Sequence, residues 1–348
     1  MSSTKNPHKI IVILGPTASG KSDLAVKIAL RLGSGQAQKY GIKGGEIISA
    51  DSRQVYRGLD IGSGKVPRDK INSSALRKIY NTYMPIGSEV LYFYRGISHY
   101  LLDVANPKRI FTVAQYQKLA RRAIRKIWQK NKLPILCGGT GFYIQSVIDG
   151  LIIPEVKPNL KLRKILEKKT TEELFRILKK KDPARAKNID SQNRPRLIRA
   201  LEIIEVLGKV PKLKTSPLNK ILMFNDRRTI DILMIGIRKE KNELKKLIKK
   251  RLIKRLGQGM VAEVRRLHAP PAGGGLSWRR LESFGLEYRY IAQFLQNKIS
   301  RTEMIKIIER EGWRYAKRQM TWFRRDKRII WIKNAKEALK IGQKFLKN

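Results

Sequence analysis

Residues Ile10–Ser22 read Ile-Ile-Val-Ile-Leu-Gly-Pro-Thr-Ala-Ser-Gly-Lys-Ser. The first five, apolar and mostly β-branched, predict a strand buried on both faces. Gly15, Pro16, Thr17, Ala18, Ser19, Gly20, Lys21 and Ser22 then fit G-x-x-x-x-G-K-[ST] without a gap. Leu24, Ile28 and Leu32 follow at intervals of four, with Ala25 and Ala29 beside them, which predicts a helix. Strand, glycine loop and helix N-terminus in that order make an anion nest. Backbone N–H groups and the helix dipole hold phosphate oxygens, Lys21 neutralises charge, and Ser22 can ligate Mg²⁺. The fold class that follows is α/β, with a P-loop parallel sheet at its core. The motif leaves open whether the phosphate is a nucleotide's and what group is transferred.

The rest of the composition narrows the class. A chain of 348 residues has room for two units, and a hydrophobic content of 42% excludes disorder throughout. No apolar run approaches the ~20 residues that span a bilayer. The opening MSSTKNPHK lacks an apolar signal core, and Cys137 is the single cysteine, so a reducing cytoplasm is the expected compartment. Cys137 sits in an apolar run and reads as a core residue of a strand. Lysine and arginine number 76 against 28 aspartate and glutamate, a net charge of +48. A surplus this large points to a polyanion, most plausibly nucleic acid, although runs such as Lys179-Lys180-Lys181 also suit a solvated helix face.

Further along, Glu46–Ala50 predicts a second strand that ends at Asp51-Ser52-Arg53-Gln54. Ligands gather at the carboxyl ends of strands in open α/β sheets, which would stand Asp51 beside the phosphate loop. There it could bind Mg²⁺ through water or accept a proton; the same tetrapeptide also suits a helix N-cap. Residues 58–98 show no clean period and read as an irregular insertion. Thr112–Lys130 predicts an amphipathic helix with Val113, Tyr116, Ala120, Ile124 and Ile127 on one face. Leu133–Cys137 predicts a third strand that runs into Gly138-Gly139-Thr140-Gly141, either a tight turn or backbone brought close to a ligand.

From Gly150 the pattern turns helical, at 160–168, 171–181 and 192–207, with no strand signal until Ile230–Ile235. Residues 150–229 are therefore expected to be a helical insertion in a catalytic core formed by 1–149 and 230–348. Arg194, Arg196 and Arg199 crowd its last helix and could bind phosphate or pair with Glu202 and Glu205. Basic helices follow, one carrying Arg251. The last of them, over 301–325, has Arg314, Arg318 and Arg325 on one face and Tyr315, Gln319 and Trp322 on another. Such interleaving suits RNA, while Tyr315, Trp322 and Phe323 read better as core anchors. Ile329–Ile332 predicts a final strand.

Taken together, GPTASGKS, EIISADSRQVYRGLDIG, HYLLDV, FTVAQY, LPILCGGTGFYI, RLIRALEI, GMVAEVRRL, SFGLEY and YAKRQMTWFR occur in one order. That order and wording resemble the bacterial tRNA dimethylallyltransferases, from Ile10 to about Arg325. The resemblance implies transfer of a dimethylallyl group from dimethylallyl diphosphate to the exocyclic amine of the adenosine 3′ of the anticodon, with release of pyrophosphate. It implies tRNA anticodon stem-loop and dimethylallyl diphosphate as partners, Mg²⁺ as cofactor, no membrane, and a monomer. Matched by position, Thr17–Ser22 belong to the diphosphate loop, Asp51 is the general base, and Asp51, Ser52, Arg53 and Gln54 touch tRNA. Thr140 lies near the target nucleotide; Pro195, Arg196, Leu197, Ile198 and Arg199 contact tRNA; Arg251 serves the diphosphate. Two departures stand out. Ser63-Gly64 replaces an expected Thr-Ala, so this loop should differ in shape, and Ser98-His99 replaces His-His, which leaves His99 without catalytic weight. A P-loop small-molecule kinase or NTPase is the alternative, and it leaves the charge of +48 unexplained.

Overall fold

The computed structural model describes residues 7–36, 38, 41–69, 92–216, 229–270 and 273–347. They form two compact units, one built from 1–150 with 217–348, the other from Leu151–Ser216.

The first unit is organised on a seven-stranded sheet. Its strands are β1 (His8–Leu14), β2 (Gly45–Ala50), β3 (Tyr92–Tyr94), β4 (Ile97–Tyr100), β5 (Leu133–Gly138), β8 (Ile230–Ile237) and β9 (Ile329–Ile332). The spatial order is β3-β4-β2-β5-β1-β8-β9, parallel except for the β3–β4 hairpin at one edge. In β1 the side chains divide by parity. Ile10, Val12 and Leu14 join one buried cluster and Ile11 and Ile13 the other, all at 0% exposure. This is the two-faced burial a central parallel strand requires, and it explains the unbroken apolar run.

Helix α1 (Lys21–Arg31) covers one face together with the C-terminal helix. The other face is covered by α2 (Val113–Gln129), by α3 (Gly141–Ile148) and by helices that follow β8. In α2, Tyr116, Ala120, Ile124 and Ile127 are fully buried, and Thr112 with Gln115 forms a capping box at its start.

The second unit holds α4 (Leu160–Leu166), α5 (Thr171–Lys181), α6 (Pro183–Ala186) and α7 (Arg194–Leu207) around their own core of Leu174, Leu178, Leu197 and Leu201. It also contains a two-stranded ribbon, β6 (Leu151–Ile152) with β7 (Lys214–Thr215), where no strand was expected before Ile230. Two residues per strand are too few to carry a period. After β8 the first unit continues through α8 (Lys241–Gly257), α9 (Met260–His268), α10 (Trp278–Ser283), α11 (Leu286–Leu295), α12 (Arg301–Phe323) and α13 (Ala335–Lys347).

The irregular reading of 58–98 needs correcting at its end, where β3 and β4 pair as a hairpin, Tyr92 opposite His99. Residues 70–91 of that stretch lie outside the described residues. His99 is a buried strand residue whose Nδ1 meets the Ile97 carbonyl oxygen at 2.9 Å, and burial holds its pKa down.

Candidate active site at the strand ends

Register brings the site together. Leu14 lies level with Gly138 and with Gly236, and Ala50 lies level with Gly138. The loops leaving β1, β2 and β5 therefore emerge side by side. Nothing larger than glycine fits at Gly138, where a Cβ would come within 2.1 Å of the Ala50 carbonyl oxygen.

Loop residues Gly15–Gly20 pass under the N-terminus of α1 with Gly20 at φ +87° and Ala18 at φ +63°, left-handed conformations that turn successive N–H groups inward. Lys21 and Ser22 open the helix, where the first N–H groups lack helical acceptors. Lys21 Nζ donates to the Pro16 carbonyl oxygen at 2.6 Å. Burial, helped by nearby Arg251 and opposed by the fields of Cys137 and Asp51, lowers its pKa to about 8. Ser19 is buried, and its hydroxyl has no hydrogen-bond partner. An orphaned hydroxyl inside a glycine loop is what a phosphate oxygen would satisfy. Cys137 beneath it is buried strand core, its thiol pushed up to about 12 by burial.

Arg251 reaches in from α8 and donates to the Thr17 hydroxyl. Burial and the Arg255 guanidinium lower its pKa to about 10, so it remains a cation at neutral pH. Thr17 and Arg251, 234 positions apart in sequence, meet at the mouth of the loop.

Asp51 follows β2 directly, and it caps a turn rather than a helix. Its Oδ1 accepts the N–H of Arg53 at 2.8 Å and of Gln54 at 3.3 Å, while Oδ2 has no protein partner among the described residues. Capping and reactivity are thus divided between two oxygens of one carboxylate. The fields at Lys21 and Arg251 both include that of Asp51, which raises the pKa of each cation. The Ser52 N–H donates to Thr140 Oγ1 at 3.0 Å, and the Thr140 N–H donates to the Ala50 carbonyl at 3.1 Å. Gly138–Gly141 is therefore a tight strand-to-helix turn that also clasps the Asp51 turn. Gln54 is spent internally: it accepts from Ser49 Oγ at 2.9 Å and donates to the Gly64 carbonyl at 3.0 Å. Arg53 is half-buried.

Support for the neighbouring loop comes from far along the chain. The buried Glu263 carboxylate on α9 accepts the backbone N–H groups of Asp60, Ile61 and Gly62 at 3.0, 2.6 and 3.1 Å, and the Tyr288 hydroxyl at 2.9 Å. Gly64 sits at φ +69°, and a Cβ there would fall 1.6 Å from Arg255 Nη2. Arg255 bonds the Gly62 carbonyl and Glu287, both at 3.1 Å. Glycine at 64, where alanine was expected, makes room for that guanidinium.

Gln319 on α12 bridges the phosphate loop and the Gly139 carbonyl. None of Glu263, Tyr288, Arg255 and Gln319 was assigned a role from sequence. Only the placement of Gln319 on a face with Tyr315 and Trp322 hinted at one. On that helix Phe323 is core, Trp322 and Tyr315 are half-buried, and Arg314, Arg318 and Arg325 are exposed.

In the second unit, Leu197 is 0% and Ile198 8% exposed, both packed in its core. That corrects the expectation of RNA contact for these two side chains. Pro195 and Arg196 are exposed; Arg199 is tied to Glu202 at 3.2 Å and to the Val156 carbonyl at 2.8 Å.

Residues 78–326 match the family model described as IPP transferase. The chain belongs to this family. It is 39% identical over 336 residues to tRNA dimethylallyltransferase 1 of Syntrophus aciditrophicus, covering 95% of this chain and 96% of that one. It is 38% identical to tRNA dimethylallyltransferase 2 of Citrifermentans bemidjiense, covering 92% and 89%. Among solved structures, the full-length tRNA isopentenylpyrophosphate transferase of Bacillus halodurans aligns with a TM-score of 0.60 at 28% identity, over 98% of this chain and 96% of that one. A eukaryotic dimethylallyltransferase, solved acting on tRNA, shares the fold at a TM-score of 0.67 and 21% identity, over 98% of this chain and 80% of that one. The P-loop α/β core is thus the family fold, and the kinase reading is not favoured. Among the described residues no helix is long and apolar enough to cross a membrane.

Proposed function

We propose that this chain transfers a dimethylallyl group from dimethylallyl diphosphate to the exocyclic amine of the adenosine 3′ of the anticodon in tRNA, releasing pyrophosphate. The observation that carries this reading is the meeting of Lys21, Thr17 with Arg251, and the open oxygen of Asp51 at adjacent strand ends, in a member of the IPP transferase family.

The division of labour follows from charge. An allylic C–O bond breaks readily when the departing diphosphate is stabilised. Lys21, Arg251 and the loop N–H groups direct positive charge to that spot. The adenine amine is a weak nucleophile, and a carboxylate accepting its proton as the C–N bond forms answers that weakness. Asp51 Oδ2 is the oxygen left for this task, because Oδ1 is held by Arg53 and Gln54.

The donor set suits Mg²⁺. Ser22 is exposed at the helix start and would be the protein ligand, and no cluster of three or more carboxylate, imidazole or thiol groups exists among the described residues. Mg²⁺ characteristically takes few protein ligands beside substrate phosphates. When bound it would neutralise charge on the leaving diphosphate. The target base must leave its stack to reach a site set at strand ends, and an anticodon loop presents bases already partly free. The exposed arginines of α12 would grip the RNA backbone, and Arg196 offers a further cation in the second unit. The protein is proposed to act as a monomer, and the reaction needs no membrane and fits a reducing cytoplasm.

The test is direct. An anticodon stem-loop with adenosines at and beside the target position is incubated with the protein, Mg²⁺ and dimethylallyl diphosphate, digested, and weighed nucleoside by nucleoside. One five-carbon adduct on the adenosine 3′ of the anticodon is expected. RNA bound without an adduct would exclude this donor; no binding and no adduct would overturn the reading.

A further inference from the structure

Gln319 is 6% exposed, on the inner face of α12. Its Oε1 accepts the backbone N–H of Thr17 at 2.8 Å, and its Nε2 donates to the Gly139 carbonyl oxygen at 2.8 Å. The two partners belong to different loops with different tasks. Thr17 lies in the loop that receives diphosphate and carries the hydroxyl that Arg251 grips. Gly139 precedes Thr140, whose hydroxyl holds the first N–H of the Asp51 turn.

One primary amide therefore stands between the leaving-group side of the site and the proton-accepting side. Only a group that accepts and donates at once on one short arm can make both bonds, and a carboxamide does so in a single plane. Space enforces the arrangement as well. A Cβ at Gly139 would come within 2.3 Å of Nε2, so the loop runs as bare backbone where the amide reaches it.

We propose that Gln319 is a positioning residue for prenyl transfer: it fixes the separation of the Thr17 loop from the Gly139–Thr140 turn, and so acts on the chemical step rather than on the binding of either substrate. The inference rests on the transferase reading above. Gln319 itself touches neither reacting group. Its contribution is alignment of the groups that do, and a misplacement of about 1 Å in such groups can cost ~10²-fold in rate.

Two variants test it. Gln319→Leu keeps the volume and removes both bonds. It should lower kcat about tenfold or more, with donor KM and RNA Kd within about threefold of wild type. Gln319→Glu gives the sharper readout. Protonated, its carboxyl offers the same pair, a carbonyl oxygen to Thr17 and an O–H to Gly139. Ionised, it can only accept, and it sets negative charge against the Gly139 carbonyl. Burial raises the pKa of such a carboxyl, while the nearby cations and the Thr17 N–H lower it. The ratio of Gln319→Glu to wild-type kcat should therefore drop about tenfold where the carboxyl is ionised and recover toward one as pH falls through its pKa.

The charged and titratable groups around the site are Lys21 on α1, Asp51 and Arg53 after β2, Cys137 on β5, Arg251 and Arg255 on α8, Glu287 on α11, and Tyr315 and Arg318 on α12. The introduced carboxylate is coupled to these groups, so the whole pH profiles of wild type and variant are compared. A Gln319→Glu kcat equal to wild type at every pH, an unchanged kcat in Gln319→Leu, or a loss confined to RNA affinity overturns this inference alone. A wild-type protein that makes no adduct overturns the transferase reading and this inference with it.

Discussion

Replacing Lys21 with methionine should make the protein more stable and abolish pyrophosphate binding. Burial holds the Lys21 pKa near 8, against an ordinary value of 10.5. At ~1.36 kcal/mol per unit, enclosing the ammonium costs the fold about 3 kcal/mol. Methionine removes that cost and forfeits the bond to the Pro16 carbonyl, worth about 1 kcal/mol, for a net gain of about 2 kcal/mol. The sign of the pH dependence follows from which state binds more protons. Below pH 8 the lysine is charged in both folded and unfolded chains, and the cost is present in full. Between 8 and 10.5 the unfolded chain holds more protons, so wild-type stability rises with pH and the advantage of methionine shrinks. Thermal unfolding of both proteins at about pH 7 and about pH 10, with and without pyrophosphate, is the assay. The variant should melt a few degrees higher at the lower pH, lose that lead at the higher, and show no shift with pyrophosphate. A variant less stable at neutral pH, or a lead independent of pH, would refute the argument that an enclosed charge is stored in this loop.

Asp51→Asn should cost about 10²–10⁴-fold in kcat while RNA affinity stays within a few-fold, because the amide still caps the turn through its oxygen; a stem-loop binding assay beside a turnover assay separates the two. Glu263→Ala should destabilise by at least ~3 kcal/mol, since three backbone N–H groups and the Tyr288 hydroxyl lose their acceptor, and chemical denaturation would measure it. The affinity for a tRNA stem-loop should fall steeply with salt. Arg314→Ala, Arg318→Ala and Arg325→Ala should each reduce the slope of log K against log salt by about one for every phosphate that the arginine neutralises, and an unchanged slope would remove that arginine from the RNA interface.

How legible a segment was depended on how local its physics is. Strands β1, β2, β5 and β8 were readable because burial on both faces writes itself as a continuous apolar run. Helix α2 was readable because its periodicity and the Thr112 cap lie in adjacent residues. The β3–β4 hairpin was not, since YFY and ISHY are too short to show alternation and lie at a sheet edge. In the site, Lys21, Ser22 and Asp51 could be named from motif and strand end alone. Gln319 and Glu263 could not. Their partners lie 302 and roughly 200 positions away, and no local pattern distinguishes a glutamine aimed at a loop from one aimed at solvent. Leu197 and Ile198 show the converse error. A role carried over by position was assigned to a whole segment, when helical geometry turns two of its residues into a core.

The phosphate loop makes distant segments of the first unit depend on one another. Its motif is local, yet β1 pairs along its length with β8, and Gly15 packs against the backbone of Ile237. Among the described residues, Arg251 and Gln319 fasten Thr17. A motif written in eight adjacent residues is thus braced by side chains 234 and 302 positions away, and a change at either reaches the loop without touching its signature.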